Sequence, residues 1–141
     1  MKSAICTACG AVGTLIAAAL GGWDTAIITL TVFMIIDYAT GWVVAVVFKK
    51  SHKTGTGGYS SAIGWEGLCK KVVVFLLVVM AQLLDKLSGT SFVRDAVCIG
   101  FTVNEGMSIL ENAGLMGIPI PAPLKKALDV LNADQEGSRN A

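Results

Sequence analysis

A chain of 141 residues that is 54% hydrophobic and only 15% charged, with a mean hydropathy of +0.69 and a formal net charge of +1, lies far from the average soluble domain. At about 20 apolar residues per crossing, the length holds about four membrane spans and short connections, which excludes a separate catalytic domain. The expectation is an all-α integral membrane protein: about four transmembrane helices within residues 1–118, then a cytoplasmic amphipathic helix and disordered tail over 119–141.

The first candidate span, near 5–23, reads ICTACGAVGTLIAAALGGW and closes on Trp23, an aromatic of the kind that sits at lipid headgroups. Cys9, Gly13, Ala17 and Gly21 recur every fourth position, a small-residue face that another backbone can approach. Lys2 followed by an apolar run also resembles a signal peptide, but the single lysine and the later hydrophobic spans favour an uncleaved helix. Cys6 and Cys9 form a C-x-x-C with no second pair or histidine cluster beside it. All four cysteines, with Cys69 and Cys98, therefore read as packing residues, and no metal or cofactor is expected.

The second span, near 26–48, is the most apolar, with Asp37 as its only charge. From Lys49 to Gly67 the lysines, glycines and serines read as a solvated loop holding His52. The third span, near 68–87, follows Lys70 and Lys71, whose side chains are expected to snorkel to the headgroups. The fourth, near 92–113, is the least hydrophobic. At 100° per residue its Asn104, Glu105, Ser108, Glu111 and Asn112 share about one third of the circumference, which gives the helix one wet or protein-facing side. Pro119, Pro121 and Pro123 end it, and Leu124, Leu128 and Leu131 then form the apolar stripe of a short helix expected at the membrane surface. The last residues, ADQEGSRNA, read as a disordered tail.

Orientation follows from the basic residues. Four spans with both termini inside put Lys2, Lys49, Lys50, Lys53, Lys70, Lys71, Lys125, Lys126 and Arg139 on the cytoplasmic side, and only Lys86 and Arg94 outside. A three-span arrangement, with the first helix cleaved or on the surface, is the main competitor. The basic loop reads as a topology determinant facing lipid, so no nucleic-acid partner is expected.

In the four-span topology Asp37 and Glu105 both lie about 17 Å below the outer ends of their helices, in one layer near mid-membrane. A charge at that depth must be protonated, face water or bond to a neighbouring helix. Asp37, Gly41 and Ala45 share a stripe where a second helix can come close. No basic residue is expected in the core of a span, so protonated carboxyls bonding to Asn104, Thr40 or each other are favoured over salt bridges. Three readings stand side by side: a bond that stitches the bundle, a polar face hidden in one assembly and wetted in another, and a proton relay. Catalysis is excluded, since the one histidine completes no nucleophilic arrangement and KTGTGG lacks both the strand and the ending of a phosphate loop.

IDYATGW in an apolar span, a basic loop, then GWEGLCKKVVVFLLVVMAQLLD and NEGMSILENAGLMGIPIPAPLKKALDVL, in that order, closely resemble the bacteriophage holin family that also includes clostridial toxin-secretion holins. The resemblance covers roughly Phe33 to Leu131, and its most specific parts are Asp37-Tyr38-x-Thr40-Gly41 and the run from Asn104 to Pro121. It implies a multi-pass protein of the bacterial cytoplasmic membrane that oligomerises and at a set time opens non-specific lesions. An endolysin or toxin then escapes without needing direct contact with the holin, and the cell lyses. The family offers no catalytic residues to carry over. An antiholin-like regulator, and a small proton or ion channel or transporter subunit, are the alternatives.

Overall fold

The computed structural model describes residues 1–139 of the chain, and those residues form α-helices joined by turns, with no strand among them. The helices are α1 (Lys2–Ala19), α2 (Thr25–Val43), α3 (Ser61–Ser88), α4 (Val93–Leu115) and α5 (Ala122–Arg139), and α2 is prolonged by one π-helical segment, Val44–Phe48. Among the described residues three helices are long and apolar enough to cross a membrane: α1, α2 with its π segment, and α3. The less apolar α4 is the centre of the molecule, packed against α2, α3 and α5.

Local chemistry sets the helix ends. Asp24 caps α2, its carboxylate accepting the Ile27 amide at 3.1 Å. The π segment ends at Lys49, whose φ of 52° turns the chain into the loop. Gly89, at φ 67°, ends α3 in the left-handed conformation that glycine adopts without steric cost. The Val93 and Arg94 amides that open α4 donate to the carboxylate of Asp85, a residue of α3, so one helix caps the next. Gly117 closes α4 at φ 77°, and Pro119 and Pro121 follow.

The core runs along one stripe of α2, where Ile27, Leu30 and Met34 are buried. It meets Val78 of α3, Cys98 of α4 and Leu20 from the end of α1. No residue of α1 itself is buried; the helix stands apart, and the bundle proper is α2, α3 and α4.

Several boundaries differ from those expected. α3 begins at Ser61, seven residues before the predicted span, because the Ser61–Gly67 segment read as loop continues the helix. α1 ends at Ala19, with Trp23 beyond it in the turn. The C-terminal helix is longer than expected: residues up to Arg139 are helical where a disordered tail was predicted, and only Asn140 and Ala141 of that tail lie outside the described residues. The helix also does not stand away from the bundle but lies on α4.

Candidate functional site

Asp37 falls on the stripe of α2 that buries Ile27, Leu30 and Met34, so helical periodicity alone turns it toward α4. Glu105 shares a stripe of α4 with the buried Cys98, Thr102 and Asn112. On α3 the same geometry lines Lys71 up with the buried Val78, Ala81 and Asp85. The three stripes converge. The Lys71 ammonium donates to Asp37 Oδ2 at 2.8 Å and to Glu105 Oε2 as well, one cation held between two carboxylates at one level of the bundle. Asn112 braces Asp37 from α4, its amide donating to Asp37 Oδ1 at 3.3 Å and to Thr40 Oγ1 at 3.0 Å.

This corrects the expectation that no cation would reach the carboxylates and that Lys71 would snorkel away. With α3 starting at Ser61, Lys71 lies about 15 Å inside the helix, and its four-carbon stem carries the ammonium inward between α2 and α4. The formal sum of the triplet is one negative charge. Where water is scarce such a cluster persists only while each charge keeps its partner.

Above the triplet opens a cavity of about 700 Å³, enclosed by α2, α3, α4 and the loop that follows Phe48. Its floor is Asp37, Lys71 and Glu105. Tyr38, Trp42 and Ile63 form the wall on α2 and α3, and His52, Lys53 and Tyr59 form the rim. Asn104, Ser108, Glu111 and Asn112 complete the α4 side, so the five polar residues read from the sequence as one face do line one space. Within it Glu105 and Asn112 are buried, Ser108 is half-buried, and Asn104 and Glu111 are exposed. Gly41 also faces the cavity. A Cβ there would stand 3.7 Å from the Asn112 amide nitrogen, so α4 of the same chain occupies the groove over Asp37, Gly41 and Ala45. Lys70 pairs with Glu66 at 2.6 Å on the surface, while Lys49, Lys50, Lys53, Lys125 and Lys126 are exposed.

At the opposite end lies a cluster that the sequence reading missed. Arg94, which the charge pattern places on the outer side without a partner, is 5% exposed. Its guanidinium grips Asp24 in a two-pronged pair at 2.7 and 3.0 Å and also donates to the Leu20 and Gly22 carbonyls, tying the α1–α2 turn to the start of α4. Hydrogen bonding from Arg94 holds the Asp24 carboxyl below the ordinary aspartate range. The available signals were local: an Asp just before an apolar run marks a cap, and Ser-Gly-Thr after Asp85 marks a turn. Neither signal names Arg94 as the partner.

The arrangement holds paired charges beside an open cavity inside an apolar bundle. A model of the bacteriophage holin family matches residues 14–133, which takes in both polar clusters. The chain belongs to this family. It is 38% identical to a 14.9 kDa protein from the nagH 3' region of Clostridium perfringens, with 85% of this chain and 86% of that protein covered. A protein of Halalkalibacterium halodurans is 34% identical over 82% of this chain and 84% of its own length. A probable holin of Bacillus phage phi105 is 32% identical, covering 76% of this chain and 74% of that one. No solved structure matches. Holins are not known as enzymes.

Proposed function

We propose that this holin collects in the bacterial cytoplasmic membrane, oligomerises, and at a set time opens non-specific lesions through which an endolysin or a secreted toxin passes. The observation that carries this reading is the buried Asp37–Lys71–Glu105 triplet at the floor of an open cavity whose α4 side is polar. Polar groups of three helices are paired internally within one chain. If helices part as copies assemble, the same groups become the lining of a water-filled gap, and each charge exchanges its intramolecular partner for water.

In this reading α4 is a fourth span and both termini are cytoplasmic, with the cavity mouth and its Lys53 and Lys70 on the cytoplasmic side. The Asp24–Arg94 clasp lies at the outer face. Endolysin needs no direct contact with the holin.

The test is induced expression in a bacterial host with a cytoplasmic, signal-less endolysin, following turbidity and release of a cytoplasmic enzyme. The proposal expects abrupt lysis that requires both proteins. Depolarisation without enzyme release would point to a small channel, and delay of another holin's lysis would point to an antiholin.

A further inference from the structure

α5 meets two opposed physical demands. Against α4 it has a shaped seat: Leu128 is buried where α4 carries Gly106, and a Cβ added at Gly106 would stand 2.8 Å from Leu128 Cδ2 and 3.3 Å from Phe33 Cε2. Further along, Gln135 donates its amide to the Ala96 carbonyl at 2.9 Å, so α5 runs antiparallel along most of α4. Yet Lys125, Lys126, Asp129, Asp134 and Glu136 are all exposed on α5. With α4 as a span, the seat holds these charges beside hydrocarbon, where each is unfavourable. The seat is also incompletely filled, with a gap of about 270 Å³ left between Gly100, Met107, Asn132 and Gln135. A second resting place satisfies the other demand. Leu124, Leu128 and Leu131 share one face, so at the membrane surface they enter lipid while the charges stay in water. The connection between α4 and α5, which holds Pro119 and Pro121, is not helical.

We propose that α5 is a reversible clasp: it is closed over the Gly106 notch of α4 in the unassembled chain and moves to the cytoplasmic membrane surface when copies assemble, baring that notch. The clasp rests on the lesion-forming reading above. A helix with two resting places, one inside the bundle and one on lipid, is a two-state element of the kind a timed process requires.

The test fixes α5 in its seat. In a chain whose native cysteines are replaced by alanine or serine, Gly100→Cys and Gln135→Cys are introduced. A Cβ at Gly100 lies 3.2 Å from the Gln135 carboxamide oxygen, at the far end of that side chain, so the shorter cysteine thiols are joined across the remaining gap by a short cleavable bis-thiosulfonate. The purified protein is placed in liposomes of phosphatidylethanolamine and phosphatidylglycerol that hold a fluorescent dextran. The clasp predicts that joining lowers dextran release at least tenfold and that reductant restores it. It also predicts a cross-linking yield that is high at low protein density and several-fold lower at high density. Equal release from joined and reduced protein would overturn the clasp, as would failure to join while both cysteines still react with maleimide. If even the cysteine-free parent releases nothing, the lesion-forming reading fails. The clasp is then judged by density alone, and an unchanged yield refutes it.

Discussion

Replacing Lys71 with methionine keeps the length of the side chain and removes the one cation between Asp37 and Glu105. Both carboxylates bond the same nitrogen, so their oxygens lie no more than about 5 Å apart, and at an effective dielectric of ~20 their unscreened repulsion is at least about 3 kcal/mol. That agrees with the ~3–5 kcal/mol typical of removing one partner from a buried pair. Lys71→Met is therefore expected to lose about 3 kcal/mol of bundle stability in detergent at neutral pH, read by thiol-reactive dye uptake at the buried Cys98 in a chain whose exposed Cys6, Cys9 and Cys69 are replaced by serine. In cells it should trigger early, because the closed bundle is what the cluster holds together. Lys71→Met/Glu105→Gln removes the repulsion and should recover most of the loss. A Lys71→Met protein within about 0.5 kcal/mol of the parent, below the usual cost of even an exposed pair, would refute the reasoning.

Asp37→Asn keeps hydrogen-bonding capacity where Asp37→Leu removes it, so lysis timing should shift more for leucine; both variants lysing at the parent time would remove Asp37 from the account. Arg94→Lys loses the two-pronged grip on Asp24, with an expected cost of about 1 kcal/mol at this half-exposed carboxylate, measured by thermal unfolding in detergent. Because Asp24 is held below its ordinary range, its contribution is complete above its unfolded value near ~3.9 and is lost as the pH falls through the lower folded value. Parent and Asp24→Asn should thus differ by a constant amount from pH 7 to about pH 5 and converge toward pH 3. Gly106→Ala crowds Leu128 and should weaken cross-linking of the Gly100→Cys/Gln135→Cys pair, while Gly106→Ala/Leu128→Ala should tolerate the methyl group; equal yields in all three backgrounds would argue against the notch.

How far the sequence reveals this molecule depends on whether a feature is periodic within one helix or requires two. The apolar runs of α1, α2 and α3 and the polar arc of α4 follow from side-chain spacing, which is why Asp37 and Glu105 could be placed at one level before any coordinates. Lys71 was misread because its role depends on where α3 begins and on how it leans against α2 and α4. The GTGGYSS stretch before it has the composition of a loop, yet the helix starts at its last residue, Ser61. The role of Arg94 is hidden for the same reason: its partners Asp24, Leu20 and Gly22 lie some seventy residues away in sequence. The C-terminal tail is polar throughout, and composition alone does not show that Gln135 finds a carbonyl on α4 or that Leu128 finds a glycine.

The central claim is that the lesion passes folded proteins. Its most direct measurement uses liposomes that hold a small dye together with a folded enzyme, titrated with purified protein while both markers are followed outside. The account predicts that dye and enzyme leave together once protein density crosses a threshold. Release of the dye at every density with the enzyme retained would contradict it and leave a small channel in its place.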